Sequence, residues 1–91
     1  MERSKSIEVR QGSKTTIVFN VDNVEDIISL TSSCGCTSPD IVDGKVKVEY
    51  KAAKVPTHLK HQGYSLVSQY IYIKYRTLSA ETLTINIKIT T

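Results

Sequence analysis

A two-residue alternation of apolar and polar side chains near residue 85 constrains the fold of this chain more than any other feature. Leu83, Ile85, Ile87 and Ile89 alternate with Thr82, Thr84, Asn86, Lys88 and Thr90. Successive side chains of a β-strand point to opposite faces, so the pattern predicts a strand with one buried face and one solvated face.

The composition extends this prediction to the whole chain. Ile, Val and Thr make up 29 of the 91 residues, and these β-branched side chains pack well on a pleated sheet but lose rotamer freedom in a helix. Apolar residues form 40% of the chain and charged residues 23%, which is too apolar for a disordered segment and too charged for a membrane span. We expect one all-β domain over residues 1–91, with a polar N-terminal arm at residues 1–5.

Similar alternation recurs along the chain, with turn signals such as Asp22-Asn23 and Asp43-Gly44 between the stretches. The predicted strands are residues 6–11, 14–21, 26–33, 45–50, 66–77 and 81–90. Six or seven short strands in a chain of 91 residues indicate an Ig-like β-sandwich of about seven antiparallel strands.

Two predicted segments lack a clean strand pattern. The strand at 26–33 has Ile28 and Leu30 in period two, and Gly35 and Pro39 after it make a continued ladder unexpected. Residues 52–63 have no clear period, so we expect the longest loop there, with a helical turn.

The apolar faces of the predicted strands give the core. We expect six side chains to be buried between two sheets, namely Phe19, Val48, Ile71, Ile73, Ile85 and Ile87. Trp is absent and there is one Phe, so Ile, Val and Leu with some of the tyrosines must fill most of the interior.

A Cys-Gly-Cys-Thr box directly follows one of the predicted strands. In chain order the sequence has Val18-Phe19-Asn20, the box Cys34-Gly35-Cys36-Thr37, then Pro39, Gly44 before an alternating strand, and the pair Gly63-Tyr64. In this order and spacing, the chain from about Thr16 to Thr90 resembles a bacterial and phage domain family of unknown function that is defined by such a box. That family is similar to the Ig-like sandwiches of the major sperm protein and of ASH domains.

The resemblance implies a non-catalytic structural or interaction module. Many members of the family follow a signal peptide or lipoprotein leader, whereas this chain opens with charged residues and shows neither. This difference favours the compact, free-standing members that look like phage-encoded structural proteins. We therefore expect a virion component, made in the host cytoplasm and not secreted by its own signal, that serves in capsid decoration, as a cement protein, or in a neck or tail. The alternative is a cell-envelope Ig-like module whose Cys-x-Cys box binds a metal or a redox partner.

The two cysteines leave several chemical roles open. In an extended chain, residues i and i+2 lie about 6.5 to 7 Å apart, so a bond between Cys34 and Cys36 needs a tight turn, which Gly35 would allow. A zinc site needs two more ligands, and His58 and His61 are the candidates, although both spacings are one residue tighter than in zinc fingers. We favour small, buried, structural cysteines that end a strand, and we expect no metal or other cofactor.

The sequence contains no pattern typical of an active site. A nucleophilic cysteine needs an oriented base, but His58 and His61 stand in a lysine-rich segment with only Asp40 or Asp43 as a third member. A Gly-rich phosphate loop, a His-Glu-x-x-His motif and a Gly-x-Ser-x-Gly motif are all absent from the sequence. We expect that the protein is not an enzyme.

One face of the long predicted strand at 66–77 favours binding to other proteins. Tyr70, Tyr72, Lys74 and Arg76 share the face opposite its apolar side chains, and Tyr and Arg are enriched in interface cores. We predict that these four residues contact a partner. The alternative is ordinary cross-strand Tyr–Thr packing on a solvated sheet. Nucleic-acid binding is not expected from two tyrosines without a known module.

The charge is unevenly distributed along the chain, although the net value is only +3. Residues 22–43 carry five acids and no Lys or Arg, whereas residues 45–60 carry five lysines and one glutamate. This layout suits docking onto a charged protein or head to tail with copies of itself, and a normally solvated surface is the alternative. No apolar run reaches membrane-spanning length.

Overall fold

Seven β-strands and two short 3-10 helices make up the computed structural model, which describes residues 1–91. The strands are β1 (Ser4–Arg10), β2 (Lys14–Phe19), β3 (Ile27–Ser32), β4 (Thr37–Val42), β5 (Lys45–Lys51), β6 (Tyr64–Tyr75) and β7 (Ala80–Thr90). The 3-10 helices are Val24–Asp26 and Thr57–Gln62.

The strands form two sheets that pack face to face. The four-stranded sheet has the order β1-β7-β6-β3, and the three-stranded sheet has the order β2-β5-β4. From the second strand onward this is the arrangement of an immunoglobulin constant-type sandwich, which unites strands B, E and D in one sheet and C, F and G in the other. The predicted all-β Ig-like sandwich is confirmed.

The first strand departs from the antiparallel pairing that the sequence predicts. β1 pairs in parallel with β7, with Ser4 opposite Thr84 and Arg10 opposite Thr90. Because β1 already begins at Ser4, the last two residues of the expected polar arm belong to the sheet. Before the strand, the Asn20 N–H donates to the Glu2 carboxylate at 2.9 Å, which ties this segment to the end of β2.

The core lies between the inner faces of the two sheets and matches the predicted faces. All six expected side chains are at most 2% exposed: Phe19, Val48, Ile71, Ile73, Ile85 and Ile87. The loop before β6 adds Val55, whose N–H donates to the Gln11 side chain at 3.0 Å. This loop is the longest segment without a strand, and it contains the expected helical turn.

The strand β3 does not follow the period-two pattern that its sequence predicts. The register of its pairing with β6 shifts between Ile27 and Ser29, which marks a β-bulge. The bulge leaves Ile28 62% exposed, whereas Ile27 and Leu30 pack against the core. The prediction of Ile28 and Leu30 on one face is therefore wrong, because one unpaired residue reverses the alternation.

The ladder continues after the Cys-Gly-Cys-Thr box, contrary to the sequence prediction. Residues 37–42 form β4, and Pro39 lies opposite Val48 of β5. β4 is at the edge of its sheet, with β5 as its single neighbour. Proline is tolerated in edge strands because its missing N–H can face outward.

Candidate interaction surfaces

The outer face of the four-stranded sheet carries the predicted tyrosines on a rigid strand. β6 is paired on both sides, so Tyr70 lies opposite Thr84, and Tyr72 lies between Thr82 and Thr31. The two tyrosines are 38% and 44% exposed, because their neighbours are small hydroxyl-bearing side chains. Two aromatic rings therefore stand above a flat polar surface, which we call the tyrosine face: Tyr70, Tyr72, Thr31, Thr82 and Thr84.

The two basic members of the predicted partner surface lie further along the chain. Lys74 is exposed on β6 opposite Ala80 and Ser29. Arg76 is not on the strand, because β6 ends at Tyr75 and the turn to β7 begins there. Its N–H donates to the Asp26 carbonyl at 2.7 Å, so its backbone closes the end of the sandwich.

The Cys-Gly-Cys-Thr box forms a hydrogen-bonded turn between β3 and β4. The Cys34 carbonyl accepts bonds from the Ser32 hydroxyl at 2.8 Å and from the Thr37 hydroxyl at 3.0 Å. Thr37 is 4% exposed, so its hydroxyl needs this partner. The box also adjoins the tyrosine face, because the Tyr70 N–H donates to the Ser33 hydroxyl at 3.0 Å.

The cysteines of the box are joined to each other. A disulfide links Cys34 and Cys36, whose Cα atoms are 5.2 Å apart, and there is no free cysteine. Both residues are half-buried rather than buried, and they lie in the turn after β3 rather than at the end of a strand. The expectation of small buried residues that end a strand therefore needs correction. Gly35 has no positive φ, so the turn does not require glycine for its backbone conformation.

The structure does not assemble the four candidate metal ligands. His58 and His61 lie exposed on the 3-10 helix Thr57–Gln62, whereas Cys34 and Cys36 are bonded to each other. No group of three or more His, Cys, Asp or Glu side chains is placed to hold a metal ion.

A groove lies beside the box on the side of the three-stranded sheet. Its volume is about 510 Å³, and its lining includes Cys36, Tyr50, Ala52 and Ala53 with the charged residues Lys14, Lys51 and Glu49. Tyr50 is 2% exposed, and burial raises the pKa of its phenol. The groove thus combines small apolar side chains with one carboxylate and with two lysines that are directly opposed in the β2–β5 ladder.

The ion pairs of the molecule all involve β1 or the residues just before it. They are Arg3–Glu81, Lys5–Glu2 and Lys88–Glu8. The hydrogen bond from the Arg3 guanidinium lowers the pKa of Glu81, and the bond from the Asn20 backbone N–H lowers the pKa of Glu2. The lysines of the three-stranded sheet take part in none of these pairs.

The strands run along the longest dimension of the molecule, which measures 48 × 22 × 20 Å. One end carries the acidic turn, defined as Asp22, Glu25 and Asp26. The other end carries the basic end residues, defined as Arg10, Lys14, Lys51, Lys54 and Lys60. The acidic and basic stretches of the sequence are not fully separated, because Asp40 lies opposite Lys47 in the β4–β5 ladder.

Two features of these surfaces escaped the sequence analysis. Leu78 is 96% exposed at the tip of the β6–β7 hairpin with φ 69°, although a leucine in that position carries no sequence signal of exposure. The groove forms where β2, β5 and the box pack together, and no local sequence pattern predicts that packing.

No protein-family model and no curated protein matches this chain. No helix is both long enough and apolar enough to cross a membrane.

Proposed function

We propose that this domain is a non-catalytic interaction module that works in a larger protein assembly and contacts its partner through the tyrosine face. The exposure of Tyr70 and Tyr72 on the central strand β6 carries the proposal. Tyrosine offers a large contact area with a polar handle at a low cost in conformational entropy, and interface cores are enriched in it. Lys74 at the margin supplies a rim charge.

The setting that we propose is a phage particle, in which the domain decorates or cements a capsid or forms part of a neck or tail. The resemblance of the Cys-Gly-Cys-Thr box and its flanking residues supports this setting. A compact sandwich with long paired strands is suited to such a role, because its contact surface is held rigid before the partner binds.

The Cys34–Cys36 disulfide favours a second candidate function. In a cell-envelope module, the thiolate of a partner protein would attack one sulfur, releasing the other as a thiolate and leaving a mixed disulfide. Trapping with a partner cysteine variant would separate the two candidates, because a structural disulfide gives no mixed species.

Replacing both tyrosines tests the first proposal. Tyr70→Ser/Tyr72→Ser should keep the fold, because both rings lie outside the core, and should weaken partner binding by about 2 kcal/mol or more if the rings are central anchors. The partner is first identified by co-purification with the native chain, and its Kd is then measured by calorimetry. Val18→Ser/Val42→Ser is the matched control, since these residues are 37% and 38% exposed on the other sheet.

Two results would count against the tyrosine face. One is a double tyrosine variant that binds the partner as tightly as the native chain does. The other is equal loss of binding in the tyrosine and valine variants, which would indicate a general surface effect.

A further inference from the structure

Leu78 is an apolar side chain whose exposure is not accounted for by the packing of the fold. It stands at the tip of the β6–β7 hairpin, is 96% exposed and has φ 69°. A side chain with a Cβ in the left-handed region costs roughly 1 kcal/mol, and glycine or asparagine would avoid most of that cost. Neither the packing nor the turn of this chain therefore requires leucine at position 78.

The three residues of the acidic turn lie at the same end of the molecule as this leucine. The Asp26 carbonyl accepts a hydrogen bond from the Arg76 N–H of the hairpin, and the small cleft beside it is lined by Asp22 and Asp26 together with Arg3 and Met1. None of the three residues of the acidic turn forms an ion pair within the chain. The end therefore presents an exposed apolar side chain together with three unpaired carboxylates, and Arg76 is the exposed cation on the same hairpin.

The opposite end has the complementary features. Lys14 and Lys51 lie directly opposite each other in the β2–β5 ladder, and neither forms an ion pair. Like charges in directly opposed positions destabilise a sheet. The groove that these two lysines help to line also contains Ala52 and Ala53, with Glu49 as its one carboxylate. An apolar side chain accompanied by several carboxylates is complementary in charge to the lysine pair.

The acidic turn and the lysines of the groove cannot contact each other within one molecule. β2, which runs from Lys14 toward the acidic turn, has six residues, which span about 20 Å at 3.3 Å per residue. Exposed charges are largely screened beyond about 10 Å at 0.1 M salt. Any partner for these ends must therefore come from another molecule.

We propose that copies of this chain associate head to tail, with Leu78 and the acidic turn of one copy docked in the groove lined by Lys14 and Lys51 of the next. Such a contact joins two different surfaces, so it generates a ring or an open filament rather than a symmetric dimer. An end of 22 × 20 Å offers a small contact area, which is typical of a weak interface that forms at high local concentration. This association rests on the proposed function, assembly, but uses a surface separate from the tyrosine face.

Sedimentation of the purified chain at increasing protein concentration tests the association. At low salt, the native chain should form species larger than a dimer at high micromolar concentration, and 0.5 M NaCl should disperse them because rim charges are screened. Leu78→Gly should weaken association at least about tenfold, as expected for loss of an interface anchor. Its thermal stability should not fall, because glycine accepts the left-handed φ.

Charge reversal provides the sharper test. Lys14→Glu/Lys51→Glu makes both ends acidic, and Asp22→Lys/Glu25→Lys makes both ends basic, so each variant alone should stay monomeric. Mixing the two should restore association into assemblies in which the variants alternate, since each end of one variant is complementary in charge to the ends of the other. Asn86→Glu, exposed midway along β7 and away from both ends, is the control and should self-associate as the native chain does.

Several outcomes would overturn the proposal. They are a native chain that stays monomeric at low salt, a symmetric dimer that Leu78→Gly leaves intact, and a mixture of reversed variants that does not associate. A basic end that binds a single-stranded oligonucleotide but no second copy would also overturn it. Tyr70→Ser/Tyr72→Ser should leave self-association unchanged, so failure here is distinguishable from failure of the tyrosine face.

Discussion

The outer face of the four-stranded sheet carries two exposed tyrosines in addition to its lysines, whereas the outer face of the three-stranded sheet carries Lys14, Lys47 and Lys51 and no tyrosine. Both sheets alternate, and both place their apolar residues in one shared core. The difference therefore lies in what the second face of each strand offers to solvent. Aromatic rings supply contact area, while lysines supply attraction over distance.

The two sheets also differ in how their strands are held. β6 and β7 run for 12 and 11 residues and pair along most of their length. The strands of the smaller sheet have six or seven residues, and the turn Asp43-Gly44 joins two of them. The larger sheet is therefore stabilised by long pairing between two of its strands, whereas the smaller sheet depends more on its turns and on the shared core.

The largest expected effect comes from the shared core. Ile85→Ala removes a side chain that is 0% exposed and should lower the free energy of unfolding by about 2 to 5 kcal/mol. Chemical denaturation should show one transition, because both sheets lose the same packing. Thr82→Ala, on the solvated face of β7, should change stability by less than about 0.5 kcal/mol. Two separate transitions would show that the sheets are independent.

Substitutions in the box test the connection between the two sheets, because the box joins β3 of the larger sheet to β4 of the smaller sheet. Replacing Cys34 and Cys36 by Ser removes a bond that closes a very short loop, and loop-closure entropy predicts a loss of roughly 1.5 kcal/mol. Denaturation of the variant and of the reduced native chain should give the same loss, with partner binding unchanged. Elemental analysis showing one zinc or copper per chain, absent from the double variant, would contradict a structural role.

The turns of the smaller sheet give a finer test. Asp43 and Gly44 both have positive φ, at 52° and 73°, as a tight hairpin turn requires. Gly44→Ala should therefore cost about 1 kcal/mol. Gly35→Ala is the matched control, because a Cβ there meets no atom within 4 Å and φ is not positive. Equal losses of unfolding free energy in the two variants would contradict a special requirement for glycine at position 44.

The smallest effect is the loss of stability in acid. Because the folded state lowers the pKa of Glu81 and Glu2, their contribution to stability is present above the pKa of the unfolded chain. It is lost as the pH falls through the lowered folded-state value. The pKa of an ordinary glutamate is about 4.3, so the loss of stability should appear below that pH.

A single substitution isolates this effect. Glu81→Gln should flatten part of the decline in unfolding free energy between neutral and acid pH, because the Arg3 partner no longer holds a carboxylate. Glu49→Gln, on the smaller sheet and outside the ion pairs, should leave the decline unchanged. Identical pH profiles for the two variants would contradict a role for the Arg3–Glu81 pair.

The sequence by itself determined the class of fold and the inner faces of its regular strands. Phe19, Val48 and Ile85 were predictable because a strand alternates strictly and one sheet face must be buried. The tyrosine face followed from the same alternation, since whatever lies opposite the core faces outward. These are local properties, and a window of ten residues contains them.

The tertiary structure alone decided which strands meet and where the alternation breaks. The bulge at Ile27 to Ser29, the edge strand around Pro39 and the parallel pairing of β1 depend on neighbours far along the chain. The same holds for the groove beside Cys36 and for the exposure of Leu78. These features follow from pairing between segments that are distant in sequence, and a local sequence pattern does not determine the energies of such pairings.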